Sequence, residues 1–552
     1  MTMHICSYKR FIARAAQSAR TFRQSEEGTL TAFSLYIFIG MFMVCGLTID
    51  LMRYEAVRTR LQSTTDRAVL AAADLDNTQG AKEVVEDYFA KAGMSEFLKG
   101  VNVDQGLNYK EVTAVVEAKI PTWFMNMSGI YELDAFAQSK AEERIQNIEI
   151  SLVLDISGSM RGTKNANMIT AANEFVATIM EANNNLAADG TGLAAVSIIP
   201  YNASVSAPDY LLNQYNVKNH QTFSNCVRFA PNDFNSLSVS TSLLLDRLSH
   251  FDRNNSNLNE VNDQFLLKRP WCPTSGAEDI LPLSTNLGDL QAKISSLGAE
   301  GNTATDLGMK WAAALLDPNS QGMVSNLVNN NVLDARLDGR PEPYDDIETI
   351  KVVVLMTDGA NTSQYDLKSE FKGTMSPVWY SANNDRYYVY FENRADNGDR
   401  PWWDTGRRPD QDTNGNDEED GWWRWNLPSS ANDAVQLSHT DLFSNFSVRY
   451  ISEFFFRVEN DSQKSLRQKY RNAWYTYAGN TSADNYTKSL CTLLKNQNVQ
   501  IFTIGFEAPQ RGQDLMSACA TSPSHYYDVN GVEISEAFSS IANTIQQLRL
   551  AL

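Results

Sequence analysis

Residues 29–49 (TLTAFSLYIFIGMFMVCGLTI) carry no charge over 21 positions. At about 1.5 Å of rise per residue, a helix of this length spans roughly 30 Å, the thickness of the hydrocarbon core of a bilayer. A segment inside hydrocarbon must satisfy its own backbone hydrogen bonds, and a helix does so. The run therefore predicts one transmembrane helix that separates residues 1–28 from residues 50–552.

The segment before this run is basic, with Lys9, Arg10, Arg14, Arg20 and Arg23 against Glu26 and Glu27. The positive-inside rule then places residues 1–28 in the cytoplasm and the rest of the chain on the other side of the membrane. A cleaved signal peptide is the alternative, but its apolar region covers about 7–15 residues and ends at a small-residue site. The run here is longer and charged residues follow it directly from Asp50, which favours a retained anchor.

The six cysteines are consistent with this topology. Cys6 would be cytoplasmic, and Cys45 lies in the membrane run. The others face a compartment in which disulfides persist, and they are Cys226, Cys272, Cys491 and Cys519. Four cysteines permit three pairings, of which nearest-neighbour pairing (Cys226–Cys272 and Cys491–Cys519) is the simplest. Four buried free thiols are the alternative.

Charge and length limit the partners and the number of domains. The net charge of −19 argues against a nucleic-acid partner, because phosphate binding needs a basic face. A chain of 552 residues is too long for one ordinary domain. Within residues 50–146, helical spacing over 54–75 and 80–93 precedes alternating apolar and polar residues over 101–125. This order predicts a long helix followed by a small, pilin-like sheet.

From residue 147 onward, strand and helix patterns alternate. Strand patterns cover 147–155, 192–202, 350–359 and 499–506, and helix patterns cover 166–182, 306–316, 482–497 and 533–550. Alternation of this kind predicts an α/β fold with a doubly wound, mostly parallel sheet over residues 147–552. Residues 207–280 and 360–480 interrupt the alternation and are interpreted as insertions into this domain.

Oxygen-bearing side chains follow the ends of two of these strands. Asp155, Ser157 and Ser159 stand at alternate positions after the first strand. Asp358 follows the strand that begins near residue 350, and Thr303 lies in a loop just before a helix. Ligands of open α/β sheets bind at the edge where the carboxyl ends of the strands meet. Hard oxygen donors of this kind suit Mg²⁺ first, with Mn²⁺ or Ca²⁺ as alternatives.

Three of these five donors are neutral hydroxyls, so an ion held by them keeps much of its positive charge. Such an ion can accept a carboxylate from another molecule in an open coordination position. The alternative is that the hydroxyls only cap the helices that follow them.

The motifs DISGSM (155–160), GNT (301–303) and TDG (357–359) resemble the metal-ion-dependent adhesion site of von Willebrand factor type A domains. In that family the two serines and the threonine coordinate the metal, and the aspartates bind it directly or through water. All five positions match here. The resemblance implies a von Willebrand factor A-type sheet and a metal site that binds the Asp or Glu of a protein partner.

The segment 27–73 resembles the membrane anchor of TadG-like proteins of the tight adherence (Flp pilus) assembly system. The shared positions are Asp50, Arg53, Leu61, Gln62, Asp66 and the alanines 71–73. The C-terminal runs 490–491, 501–506 and 519–520 are similar as well. This resemblance implies a bacterial inner-membrane protein with a periplasmic bulk and pilus-assembly partners. Because no glutamate stands five residues after Gly28, cleavage by a prepilin peptidase is not expected.

The second insertion contains a further candidate cation site. DQDTNGNDEED (410–420) places Asp410, Asp412 and Asn414 at alternate positions, as in the first half of a calcium loop. Gly421 stands where a bidentate Glu belongs, so a solvated acidic loop is the alternative to Ca²⁺ binding. Five tryptophans flank this loop and either pack the insertion onto its domain or form a contact platform: Trp402, Trp403, Trp422, Trp423 and Trp425.

An enzyme is not expected. The five histidines show no metal-binding spacing, and the chain has no GxSxG motif or phosphate-binding glycine loop. A metal-assisted hydrolase would also need a general base beside the ion. The predicted function is an inner-membrane-anchored, periplasm-facing component of Flp/Tad pilus assembly that binds a protein partner through its metal site. A metal-dependent cell-surface adhesin or receptor unconnected to pilus assembly is the alternative.

Overall fold

The computed structural model describes residues 27–74, 79–105, 109–144, 147–181, 192–253, 269–392, 401–405, 422–456 and 461–550, together with residues 18, 20, 21, 23, 183 and 267. The chain forms two compact units, one within residues 1–144 and one within residues 145–551. Each unit has its own hydrophobic core. The predicted calcium loop at Asp410, Asp412 and Asn414 lies outside the described residues.

The first unit consists of two helices and an antiparallel sheet. Helix α1 is Glu27–Ala73 and helix α2 is Ala81–Lys91, and the strands are β1 (Leu98–Gln105), β2 (Tyr109–Pro121) and β3 (Glu132–Arg144). The strand order is β1-β2-β3. The core lies between the C-terminal part of α1, helix α2 and one face of the sheet, and includes the buried side chains of Val69, Phe89 and Val116. The predicted long helix and small sheet are therefore present.

Helix α1 has two parts with different surroundings. From Leu61 onward one side of the helix is buried in the core of the first unit, through Leu61, Val69 and the alanines 68, 72 and 73. Between Leu30 and Met52 its large apolar side chains are exposed. Within the described part of the chain, this is the one helix long and apolar enough to cross a membrane. It is consistent with a single-pass anchor or with a signal sequence.

The second unit contains fifteen strands in the described residues. They are β4 (Asn147–Asp155), β5 (Ala194–Tyr201), β6 (Val227–Arg228), β7 (Asp246–Arg247), β8 (Leu281–Ser284), β9 (Thr349–Thr357), β10 (Gln364–Leu367), β11 (Met375–Ser381), β12 (Arg386–Tyr390), β13 (Trp402–Asp404), β14 (Trp422–Arg424), β15 (Val435–Ser438), β16 (Trp474–Ala478), β17 (Gln500–Phe506) and β18 (Tyr526–Val529).

The same unit contains eleven α-helices in the described residues. They are α3 (Thr163–Met180), α4 (Asp209–Leu212), α5 (Leu287–Ser295), α6 (Thr305–Leu316), α7 (Gln321–Asn329), α8 (His439–Asn445), α9 (Val448–Tyr450), α10 (Asp461–Arg471), α11 (Asn480–Asn496), α12 (Gln510–Cys519) and α13 (Glu533–Leu550).

The central sheet has six strands in the order β18-β17-β9-β4-β5-β8. Neighbouring strands are parallel except β8, which pairs antiparallel with β5 at one edge. Along the chain this is the order 3-2-1-4-5-6 of a doubly wound sheet. The predicted α/β class with a doubly wound, mostly parallel sheet is confirmed. The antiparallel edge strand β8 was not predicted, because four residues are too few to show a period.

Helices cover both faces of this sheet because successive strand residues point to opposite sides. Leu152 of β4 lies in the core formed with α3, α5 and α13, where Phe175 and Phe538 pack. Val153 lies in the opposite core, formed with α6, α11 and α12 around Trp311. Strands buried on both faces read as continuous apolar runs, which is why these strands were recognisable in the sequence.

The two insertions share a third hydrophobic core. The first insertion contributes Phe251, Trp271 and the cysteines 226 and 272, and the second contributes Phe371, Phe443, Phe456 and Tyr470. A five-stranded sheet in the order β14-β13-β12-β11-β15 belongs to the second insertion. The tryptophans 403 and 423 pair across β13 and β14, with ring centroids 5.2 Å apart, and pack against this core. These two tryptophans therefore pack the insertion.

Candidate metal centre

Strand β4 ends at Asp155, whose side chain is fully buried. One carboxylate oxygen accepts a hydrogen bond from the backbone N–H of Ser157 at 2.8 Å, and the other accepts one from the Thr357 hydroxyl at 2.7 Å. Burial raises the pKa of Asp155 to about 6; the bond from Thr357 opposes this rise, and the charge of Asp358 adds to it. A buried carboxylate of this kind gains from a nearby cation.

The predicted oxygen donors form a chain of short contacts. The Oγ atoms of Ser157 and Ser159 are 3.0 Å apart, and Ser159 Oγ donates to Asp358 Oδ1 at 2.6 Å. Adjacent ligands of an octahedral Mg²⁺ ion, with bonds of about 2.1 Å, lie about 3 Å apart. The spacing of these three oxygens therefore fits neighbouring positions around an ion of that size.

Thr303 reaches the same place from the loop before α6. Its backbone N–H donates to Thr362 Oγ1 at 3.3 Å, and the N–H of Thr362 donates to the Thr303 carbonyl at 2.9 Å. Gly359 lies between the hydroxyls: a Cβ there would be 3.3 Å from Thr303 Oγ1 and 3.9 Å from Ser159 Oγ. Any side chain at position 359 would point among the candidate ligands, so glycine keeps that space open.

The structure adds a residue that the sequence did not reveal. Lys164, in the first turn of α3, places its Nζ 3.0 Å from Asp358 Oδ2 and 3.3 Å from Glu507 Oε2. Burial lowers the pKa of Lys164, but its interactions with Asp358 and Glu507 outweigh burial and raise it. The ammonium group neutralises Asp358 and would compete with a metal ion for that carboxylate. No motif marks this lysine; only the fold places it here.

The chemistry of the donor set limits which ion fits. Within the described ranges, no group of three or more His, Cys, Asp or Glu side chains could hold a metal ion. The candidate site instead combines two carboxylates with three hydroxyls: Asp155, Asp358, Ser157, Ser159 and Thr303. Hydroxyl and carboxylate oxygens are ligands for hard cations such as Mg²⁺, Mn²⁺ or Ca²⁺. The residues present therefore fit a cation of that class.

A cavity of about 310 Å³ adjoins the site. Its wall next to the candidate ligands includes Gly158 and Asn302. The lining also includes Arg161 and Arg269, which share the carboxylate of Glu300, at 2.8 and 3.2 Å. The cavity gives a bound segment room beside the ion position.

The four cysteines of the second unit form both nearest-neighbour disulfides, Cys226–Cys272 and Cys491–Cys519. The first lies in the third core, and the second joins α11 to α12. All four side chains are buried. The first disulfide closes a loop within the first insertion, the second links two helices, and neither is part of the candidate metal centre.

Residues 28–75 match the Tad family, described as Flp pilus-assembly TadE/G-like. The resemblance of the N-terminal segment to TadG-like anchors is thereby confirmed. The match covers this segment and not the second unit. No curated protein matches the chain.

Solved structures resemble the chain at low similarity. The von Willebrand factor domain of the type V pili tip protein Mfa5 from Porphyromonas gingivalis is 15% identical with a TM-score of 0.30, over 73% of this chain and 96% of that one. The pilus adhesin SpaC from Lactobacillus rhamnosus GG is 12% identical with a TM-score of 0.29, over 81% and 33%. The proximal thread matrix protein 1 of the mussel byssus, with a zinc-occupied MIDAS motif, is 11% identical with a TM-score of 0.25, over 73% and 46%. The fold assignment rests on the strand order described above and not on these scores.

Proposed function

We propose that this protein is an inner-membrane-anchored, periplasm-facing component of Flp/Tad pilus assembly that captures a protein partner through a divalent cation. The observation that carries the proposal is the convergence of Ser157, Ser159 and Asp358 at contacts of 3.0 Å or less. It occurs at the carboxyl edge of the sheet, in a chain that also carries a TadE/G-like segment. The match to that segment supports the cellular setting, and the oxygen cluster supports the binding mode.

In this proposal Ser157, Ser159 and Thr303 supply hydroxyl ligands, and Asp155 and Asp358 bind directly or through water. A bound Mg²⁺, or Mn²⁺ or Ca²⁺, supplies an open coordination position for a carboxylate from the partner. Asp155 is held in place by Ser157 N–H and Thr357, so it contributes charge at a fixed position. Lys164 balances the charge of Asp358 while no ion is bound.

The neighbouring cavity extends this binding mode. Residues next to the partner's carboxylate would enter the space beside Gly158 and Asn302. The two arginines of the lining, Arg161 and Arg269, are balanced by two glutamates, Glu278 and Glu300, so the cavity offers little net positive charge. Selectivity for one partner is therefore expected to come from the fit of the segment, while the ion supplies the attraction for its Asp or Glu.

Metal titration with partner capture tests the binding mode. The full chain in detergent should bind Mg²⁺ in calorimetry, and chelator should release co-purifying pilus-assembly proteins. Asp155→Ala should abolish both, and Thr303→Ala should weaken capture more than it weakens folding. Asp514→Ala is the matched control, since Asp514 is exposed on α12. Absence of binding of Mg²⁺, Mn²⁺ and Ca²⁺ at millimolar concentration would overturn the proposal.

The proposed topology has residues 1–28 in the cytoplasm, residues 29–49 in the membrane and residues 50–552 in the periplasm. It rests on the exposed apolar part of α1 and the basic segment before it. N-terminal sequencing of the membrane-bound protein distinguishes an anchor from a signal sequence. A mature start after Gly28 or Ala73 would contradict permanent anchoring.

A further inference from the structure

The loop between β2 and β3, residues 122–131, packs against the apolar part of α1. The ring of Phe124 meets the ring of Phe42 edge to face, with centroids 5.7 Å apart. A Cβ at Gly46 would lie 2.6 Å from the Phe124 ring, so only glycine allows this approach. The loop, called here the interface loop, is therefore seated on α1 at residues that belong to the uncharged run.

Asp50 fixes the interface loop to the helix. Its carboxylate is 2% exposed and accepts hydrogen bonds from the backbone N–H groups of Trp123, Phe124 and Met125, at 2.9, 2.8 and 2.8 Å. The Arg53 guanidinium lies over the Trp123 ring, 3.7 Å from its centroid. The position of the loop along α1 is thus set by the first charged residues after the uncharged run.

The residues of α1 that contact the loop lie within the run proposed to cross the membrane. Gly46 and Phe42 precede Asp50 by four and eight residues, which is about 6 and 12 Å along a helix axis. If residues 29–49 lie in the bilayer, Phe124 lies below the membrane surface as well. Non-helical backbone at such depth is tolerated where it is buried against protein, because its polar groups have no water to bond with.

The backbone N–H groups of the interface loop are hydrogen-bonded at most positions. Three N–H groups donate to Asp50. Four further N–H groups donate to carbonyl oxygens within the loop, and they belong to Thr122, Met127, Gly129 and Ile130. The Thr122 hydroxyl also donates to the carbonyl of Ile130. Seven of the ten residues therefore have their N–H groups bonded inside the first unit.

The outward surface of the loop is apolar and uncharged. The sequence TWFMNMSGIY contains no Asp, Glu, Lys or Arg. Four large side chains are exposed to solvent by 64, 71, 42 and 66%: Trp123, Met127, Ile130 and Tyr131. Single exposed apolar residues are ordinary, whereas a contiguous group marks a binding surface. Trp and Tyr are the residues enriched at the membrane–water interface.

We propose that the interface loop inserts into the lipid leaflet on the side of residues 50–552 and forms a second membrane contact beside α1. This inference rests on the proposed membrane anchoring. Lipid is the occupant that fits, because the loop is continuous with the membrane run, uncharged and internally hydrogen-bonded. The two contacts together fix the depth and tilt of α1, and hence the height of the first unit above the bilayer.

Fluorescence quenching of the full chain in vesicles of phosphatidylethanolamine and phosphatidylglycerol tests the inference. A background with Cys6→Ser and Cys45→Ser leaves the disulfides intact, and Met127→Cys carries an environment-sensitive label. Ile39→Cys, inside the uncharged run, reports anchoring, and Lys82→Cys, exposed on α2, is the control outside the membrane. Because all three positions are exposed, these changes leave the fold intact.

The expected result is quenching of the labels at positions 127 and 39 by nitroxide lipids, and quenching of the label at 82 by aqueous iodide alone. Iodide quenching at 127 with lipid quenching at 39 overturns the loop insertion and leaves the anchor standing. Protection at 127 from both quenchers also overturns it, because protein, such as a second copy of the chain, then covers the loop. Loss of lipid quenching at 39 overturns the anchoring itself.

Discussion

The Lys164 ammonium competes with a metal ion for Asp358, so Lys164→Met is expected to tighten Mg²⁺ binding. Nζ lies 3.0 Å from Asp358 Oδ2. A cation bound to the other oxygen of this carboxylate would be about 6 Å from Nζ. Methionine keeps much of the length of the side chain and removes its charge. The variant therefore tests electrostatics at the site with little change in packing.

The magnitude follows from Coulomb's law. Charges of +1 and +2 at about 6 Å repel by about 1.4 kcal/mol at the dielectric constant of water and by about 5.5 kcal/mol at a value of 20. Glu507, 3.3 Å from Nζ, offsets much of the Lys164 charge, so we use the lower figure. A change of about 1.4 kcal/mol corresponds to a tenfold lower dissociation constant.

Isothermal calorimetry of Mg²⁺ binding to the full chain in detergent measures this change. Lys488→Met, at an exposed position of α11, is the matched control and should leave the dissociation constant unchanged. Thermal unfolding gives a second readout: the metal-free variant should melt below wild type, because the fully buried Asp358 side chain loses its cation. Added Mg²⁺ should then stabilise it more than wild type. An unchanged or weaker affinity in Lys164→Met would refute the competition.

Three further predictions concern the second unit. Asp155→Ala should leave no calorimetric Mg²⁺ signal while the chain stays folded by circular dichroism, since burial already disfavours the charged carboxylate; a retained signal would remove Asp155 from the site. Replacing Cys491 and Cys519 by serine should lower the free energy of unfolding by roughly 3–4 kcal/mol in denaturant titration, from the loop of 28 residues alone. Burial lowers the pKa of both His250 and His439 from 6.5 to about 4, so between these pH values the unfolded chain binds protons that the folded chain does not. The free energy of unfolding should therefore fall on acidification from pH 6.5 to pH 4, by up to about 1.4 kcal/mol per pH unit for each histidine. Replacing both histidines by glutamine should reduce this pH dependence, as measured by denaturant titration at several pH values.

Four of the five candidate ligands could be predicted because the strands they follow are recognisable, whereas Thr303 lies in a loop before α6. Strands β4 and β9 are continuous apolar runs, and parallel topology brings their carboxyl ends to one edge. Asp155, Ser157, Ser159 and Asp358 follow from that alone. The position of Lys164 could not be predicted in this way. It depends on how the first turn of α3 packs against Asp358, which follows β9, and Glu507, which follows β17. A lysine in a helix has no sequence signal for such a position.

The interface loop and the third core also could not be predicted from the local sequence pattern. The run TWFM follows β2 and reads as the end of a strand, and only the pairing of β2 with β3 turns it back onto Gly46. The insertions show no apolar period because their core residues come from short strands, turns and a π-helical segment, Ile451–Phe455. Both features depend on contacts between residues far apart in sequence, which a local pattern does not reveal.

The shared third core has a consequence for how this chain can change over generations. Apolar residues of one insertion are covered by residues of the other, although Phe251 and Phe456 are far apart in sequence. Deleting either insertion would leave the other with a bare hydrophobic surface and expose it to aggregation. The two insertions are therefore expected to be gained or lost together among relatives, as one structural module encoded by two separate segments of the gene.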